Sequence, residues 1–320
     1  MAMIPVLAIV SVAALFSLGF TVLLVKYRRI IAIVDVPNHR SSHAVPKPRT
    51  GGIALMTAVL AGTFAAWAFF PRMAIGRLLF YGAAAYFALG LAEDVFHLSE
   101  RVRLVVQAVI AAILAFCGLS LPGVLAAVFT VFWYVGFVNV FNFLDGIDGY
   151  AASEALLAGI FIAILSRWPG PLLISAAAAG FLVFNFQPAR LFMGDSGSYL
   201  LGFLLAALCV EGSLKSGVPV EAFILVLGTF IVDAAATLAK RIMRRESWMK
   251  AHRSHYYQRL TDLGFSHAEV ALMNMGLTAL LGLSAMAYAH AGTAFRGAIL
   301  AAWAAIFACL IALIERAAAI

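Results

Sequence analysis

The chain has 320 residues, 64% of them hydrophobic and only 12% charged, and its mean hydropathy is +1.01. That composition excludes an ordinary soluble domain and indicates an all-α, polytopic bundle of membrane helices. The formal net charge of +7 suits loops that face anionic lipid, so no nucleic-acid partner is needed to explain it.

A bilayer core of about 30 Å needs roughly 20 apolar helical residues. By that measure eleven spans are expected, at about 4–25, 53–70, 78–92, 104–119, 123–142, 151–166, 171–186, 198–214, 219–239, 269–289 and 297–315. Leu121-Pro122-Gly123 is a turn signal between two apolar runs, and joining them would leave ten. The first run ends in Lys26, Arg28 and Arg29 without a small-residue cleavage site, as in a retained helix rather than a signal peptide. Cys117, Cys209 and Cys309 lie in apolar segments without paired spacing, so they suggest packing and neither disulfides nor zinc.

Alternating the spans across the bilayer places seventeen of the 22 Lys and Arg residues on one side. The positive-inside rule makes that side cytoplasmic and the N-terminus external. The chain then forms one domain over 1–320, with cytoplasmic loops at about 26–52, 93–103, 143–150, 187–197 and 240–268. Every aspartate falls on that side, so the chemistry is expected to face the cytoplasm.

The first cytoplasmic segment runs from Asp35 through Pro37, Asn38, Arg40, Ser41, Ser42 and His43 to Lys47, Arg49, Gly51 and Gly52. The glycine pair would let backbone N–H groups approach a ligand, and Lys47 could contact a phosphate. A solvated basic loop that serves only topology is the plainer explanation. Glu93 and Asp94 close the third span and precede Arg101, Arg103 and Gln107. Acids at a helix C-terminus oppose the macrodipole, and such a pair could hold a metal, orient a phosphate or take a proton.

The densest polar stretch is Asn139-Val140-Phe141-Asn142-Phe143-Leu144-Asp145-Gly146-Ile147-Asp148-Gly149. Charge at membrane depth costs several kcal/mol, so such a cluster persists only with partners, water or a ligand. Asn142, Asp145 and Asp148 share a helical side if the helix continues, and wrap a ligand if Gly146 and Gly149 break it. Asn185 and Pro188 precede Phe192-Met193-Gly194-Asp195-Ser196-Gly197-Ser198, where Asp195 is either an N-cap or a magnesium ligand. The longest loop, 240–267, carries Lys240, Arg241, Arg244, Arg245, Lys250, His252, Arg253, His255 and Arg259. Its bases could bind a pyrophosphate, and the histidine pair lacks the further ligands that zinc requires.

Taken together, Asp-Val-Pro-Asn-x-Arg-Ser-Ser-His at 35–43, Glu-Asp at 93–94, Asn-x-x-Asn-x-x-Asp-Gly-x-Asp-Gly at 139–149, Phe-Met-Gly-Asp-x-Gly-Ser at 192–198 and His-Arg-Ser-His at 252–255 carry a family resemblance. The chain resembles the polyprenyl-phosphate N-acetylhexosamine-1-phosphate transferases, glycosyltransferase family 4. The resemblance implies transfer of an N-acetylated amino-sugar-1-phosphate from a UDP-N-acetylhexosamine to polyprenyl (undecaprenyl) phosphate, with release of UMP. It also implies a magnesium cofactor, with manganese as an alternative, and allows a homodimer.

By motif position it assigns Asp195 to the metal and Glu93, Asp94, Asp145 and Asp148 to catalysis. Lys47, Asn142, Asn185, Arg103, His252 and His255 go to substrate. Many members have two aspartates where this chain has Glu93-Asp94, and the phospho-muramoyl-pentapeptide branch has consecutive histidines where this chain has His252-Arg253-Ser254-His255. The expectation is therefore an enzyme that starts O-antigen or a related surface polysaccharide, by direct attack of the lipid phosphate. A transporter or flippase of a lipid-linked sugar is the rival, and it would require polar groups along a path through both halves of the bilayer.

Overall fold

A computed structural model describes residues 3–28, 33–35, 46–246 and 253–318. Most of the motif at 35–43, and His252, lie outside the described residues. The described residues form thirteen α-helices, one short 3-10 helix (Pro71–Met73) and one two-stranded ribbon. The helices are α1 (Met3–Lys26), α2 (Gly51–Phe69), α3 (Arg77–Phe96), α4 (Glu100–Phe116), α5 (Val124–Phe143), α6 (Tyr150–Ser166), α7 (Leu172–Asn185), α8 (Gly194–Ser216), α9 (Val220–Val226), α10 (Gly228–Met243), α11 (Tyr256–Asp262), α12 (His267–His290) and α13 (Thr293–Ala317). Strands β1 (Val34–Asp35) and β2 (Lys47–Pro48) pair antiparallel, Val34 opposite Pro48 and Asp35 opposite Lys47.

Each of the eleven expected spans falls on helix. Among the described residues seven helices (α1, α2, α3, α5, α8, α12 and α13) are long and apolar enough to cross a bilayer, or up to eight if α9 and α10 form one span bent by 77°. The expected span 219–239 is this broken pair. Those expected at 151–166 and 171–186 are the shorter apolar helices α6 and α7, and α4 opens on Glu100, Arg101 and Arg103. The fold is that of a polytopic helical membrane protein.

Helix α8 is the axis of the bundle. Sixteen of its 23 residues are buried, and it is flanked by α2, α3, α5, α6 and α9. Phe203 on α8 stacks on Tyr86 of α3 at 4.7 Å and meets Tyr134 of α5 edge-on at 5.4 Å, the geometries that aromatic quadrupoles favour. Near its N-terminus α8 runs so close to α3 that a side chain at Gly90 would collide with the backbone of Asp195. This approach brings the end of α3 onto the beginning of α8.

The C-terminal ends of α3, α5 and α7 meet the N-terminal ends of α2, α4, α6, α8 and α12 at one end of the bundle. That end carries the residues on which the motifs converge.

Candidate active site

Asp94 sits on the last turn of α3 and is almost fully buried. Its Oδ1 accepts the backbone N–H of Asp195 at 2.9 Å and its Oδ2 that of Ser196, also at 2.9 Å. These are N–H groups of the first turn of α8, which no carbonyl within that helix can satisfy. A carboxylate there also complements the positive end of the helix dipole. Asp94 therefore caps α8 from a different helix and fixes where Asp195 stands. Arg49 holds the other side, with Nη2 donating to the Asp94 carbonyl at 3.0 Å and Nε 3.5 Å from Oδ1.

Asp195 is gripped from α5 as well. The Asn142 Nδ2 donates to Asp195 Oδ1 at 2.6 Å and to Ser198 Oγ at 2.9 Å. Helix α5 ends at Phe143, so Asp145 and Asp148 lie in the loop 144–149 rather than on a continued helix. Gly149, with φ of +78°, turns that loop into α6 through the left-handed region that glycine adopts at no steric cost. Burial of the Asp145 carboxyl, then the negative charges of Asp195 and Asp94, push its pKa well above the ordinary carboxylate range.

Beside this cluster Glu93 Oε1 accepts from Arg103 Nη1 at 3.2 Å, and the same guanidinium nitrogen reaches the Tyr199 hydroxyl at 3.4 Å. Among the described residues Glu93 Oε2 is buried with no hydrogen-bond partner, a costly state for a carboxylate oxygen.

The other half of the site is built around Asp148. Its Oδ2 accepts the Ala189 N–H at 2.9 Å and lies 3.8 Å from Lys47 Nζ, while its Oδ1 is 3.6 Å from His267 Nδ1. Burial raises the pKa of this carboxyl, but His267, the Ala189 N–H and Lys47 outweigh it and hold the pKa below the ordinary value. Asn185 braces the loop, accepting the Gly149 N–H at 3.2 Å and donating to the Leu191 carbonyl at 3.0 Å. The Lys47 ammonium also lies 4.9 Å from the centre of the Phe192 ring, in cation–π range.

Of the expected site residues, Glu93, Asp94, Asp145, Asn142, Asp195 and Arg103 meet in one cluster, and Asp148, Asn185 and Lys47 in the adjoining one. His255 is oriented differently. Its Nδ1 lies 3.0 Å from Asp233 Oδ1, and the two oxygens of Asp233 accept the N–H groups of Tyr256 and Tyr257 at 3.0 and 2.9 Å. This repeats the Asp94 device, with an acid of α10 capping the short helix α11. The segment reaches the cluster through Tyr257, whose hydroxyl donates to the Phe143 carbonyl at 3.1 Å. The glycine pair differs from expectation. Gly51 and Gly52 donate their N–H groups to the carbonyls of Phe192 and Met193, at 2.9 and 2.8 Å, and so bind protein rather than ligand.

Several residues were not legible in the sequence. His267 opens α12 and accepts the Asp148 backbone N–H at 3.3 Å, while the next residue, Ala268, donates its N–H to Gln187 Oε1 at 2.6 Å. Glu154, fully buried on α6, accepts from Asn274 at 2.9 Å and Thr278 at 2.6 Å. A lone histidine or glutamate at the start of an apolar helix carries no spacing signal.

The donor chemistry suits a hard cation. Asp195 meets the Asn142 carboxamide, and burial, followed by the charges of Asp195 and Asp94, raises the pKa of Asp145. Among the described residues no three His, Cys, Asp or Glu side chains enclose a metal position. Such a set fits magnesium, which protein commonly holds through one or two carboxylates together with substrate phosphates.

The glycosyl transferase family 4 model matches residues 77–213, which span α3 to α8 and most of both clusters. A probable undecaprenyl-phosphate N-acetylglucosaminyl 1-phosphate transferase of Bacillus subtilis (strain 168) is 33% identical over 263 residues, 74% of this chain and 72% of the relative. A decaprenyl-phosphate N-acetylglucosaminephosphotransferase of Mycobacterium leprae is 30% identical over 290 residues, covering 75% and 73%. A phospho-N-acetylmuramoyl-pentapeptide-transferase of Staphylococcus carnosus matches a shorter stretch, 35% identical over 125 residues, covering 37% and 39%.

Proposed function

Because the chain belongs to glycosyl transferase family 4, the polyprenyl-phosphate N-acetylhexosamine-1-phosphate transferases, we propose that it moves N-acetylglucosamine-1-phosphate from UDP-N-acetylglucosamine to undecaprenyl phosphate and releases UMP. The names of both relatives support the sugar and a polyprenyl phosphate, and that of the Bacillus subtilis relative supports undecaprenyl phosphate. The observation that carries the reading is Asp195, fixed on the first turn of α8 by Asp94 and Asn142 and facing the charge of Asp145.

An oxygen of the lipid phosphate attacks the β-phosphorus of the UDP-sugar, and the bond from that phosphorus to the bridging oxygen of UMP breaks. Phosphoryl transfer of this kind depends on positioning and charge neutralisation. Magnesium, or manganese in its place, would be held by Asp195 with Asp145 beside it and would neutralise diphosphate charge. Lys47 and Arg103 supply positive charge for the phosphates. Asp145 is the acid of the loop that we assign to take a proton from the lipid phosphate. Asp148, whose pKa is held below the ordinary carboxylate value, orients the nucleotide side with Asn185.

The proposal includes a cytoplasmic active site, a periplasmic N-terminus and a bacterial inner-membrane location, supported by the basic residues expected on one face. It includes a homodimer, and a product that starts a surface polysaccharide such as O-antigen. The test is UMP release by purified protein given undecaprenyl phosphate and a panel of UDP-sugars. Release with UDP-N-acetylglucosamine is expected; no release with any donor would favour a transporter.

A further inference from the structure

At the end of the bundle opposite the acid clusters, a cavity of about 320 Å³ opens where α6, α8 and α12 end and α9 and α13 begin. Its size falls within the range of sites that hold small ligands. Arg167, His290 and Arg296 line it, Ser216 adds a hydroxyl, apolar side chains such as Leu165 and Met286 complete the wall, and none of the lining residues is acidic.

Basic residues at helix C-termini are the ordinary complement of the helix dipole, and Arg296 partly serves that end. Its Nε donates to the Tyr288 carbonyl at 3.1 Å and its Nη2 to the Ala289 carbonyl at 3.4 Å, and the guanidinium lies 5.3 Å from the centre of the Tyr288 ring. Arg167 and His290 are different. Both are exposed, and among the described residues neither side chain has a hydrogen-bond or ion-pair partner. Arg167 also sits at φ +52°, a left-handed conformation uncommon outside glycine. A roomy pocket with one arginine fixed in place, a second arginine and a histidine without protein partners, and no carboxylate is matched to an anion.

We propose that this cavity binds the phosphodiester headgroup of an anionic membrane lipid. Arginine forks pair with phosphate oxygens through charge-assisted hydrogen bonds, and the apolar wall at helix ends places the ligand at the membrane interface, where a lipid headgroup lies and its chains can follow the bundle. The site is separate from the chemistry and does not depend on the proposed reaction.

Native mass spectrometry of the full chain in neutral detergent tests it, with phosphatidylglycerol and phosphatidylcholine of the same acyl chains. The wild type is expected to retain a tightly held phosphatidylglycerol that the Arg167→Gln/His290→Gln variant loses, with an unchanged thermal unfolding midpoint. Arg72 and Arg77, exposed at the same end but outside the cavity, provide the control: Arg72→Gln/Arg77→Gln should keep that lipid. An unchanged lipid count in the first variant, equal loss in the control, or equal retention of phosphatidylcholine by the wild type would overturn the proposal. So would full displacement of the lipid by millimolar inorganic phosphate, which would make the site one for the free anion.

Discussion

Asp94 on α3 accepts the backbone N–H groups of Asp195 and Ser196 on α8, each at 2.9 Å. The two residues are 101 positions apart in sequence, and the contact makes the position of one acid depend on the other. Removing both acceptors should therefore cost stability as well as rate. Asp94→Ala is expected to lower stability by about 1–3 kcal/mol, the usual penalty for stranding buried donors, and to reduce turnover. Asp94→Asn, which keeps one acceptor oxygen, should lose less of each. Thermal unfolding and UMP release on the same samples measure both, and equal behaviour of the two variants would remove the capping role.

Asp195→Asn is expected to abolish UMP release with its unfolding midpoint preserved, because the amide keeps the shape of the side chain but loses its charge. Asp145→Asn should cost at least tenfold in rate, about 1.4 kcal/mol of transition-state stabilisation. Steady-state rates settle both, and turnover near the wild-type value in either variant would make that residue structural.

The depressed pKa of Asp148 makes a statement about acid stability. A carboxyl held below its unfolded-state value contributes stability that is present above that value and is lost as pH falls through the folded one. Asp148→Asn should therefore be less stable than the wild type near neutral pH, and the gap should close in acid below the ordinary carboxylate pKa. Urea unfolding across pH measures this, and a gap constant with pH would contradict it.

His267 accepts the Asp148 N–H through Nδ1 and so acts on the site through Asp148. Asparagine can place its Oδ1 near that nitrogen, whereas phenylalanine offers no acceptor. His267→Phe is expected to raise KM for the UDP-sugar about tenfold with a smaller change in kcat, and His267→Asn to recover most of it. If both variants change KM and kcat alike, His267 is a packing residue.

What could be read from the chain follows from the range of each interaction. The spans were legible because lipid imposes a composition on about 20 successive residues, and Asn142, Asp145, Asp148 and Asp195 stood out because acids are scarce in such a chain. The bend between α9 and α10 left no apolar gap to read. Whether Asp145 lay on helix or loop turned on Gly146 and Gly149, and the sequence left both open. The partners of Asp94 and His255 were hidden for a different reason: backbone N–H groups on another helix have no sequence signature. The same holds for His267, 119 positions from the loop it braces.

The most direct test follows the phosphorus. Purified protein is given undecaprenyl phosphate and UDP-N-acetylglucosamine labelled at the β-phosphate, and the lipid and aqueous phases are counted. The account predicts label in the lipid phase, matched mole for mole by unlabelled UMP in the water. Labelled UDP in the water with an unlabelled sugar lipid would mean that the sugar moves without its phosphate, and the proposed reaction would be wrong.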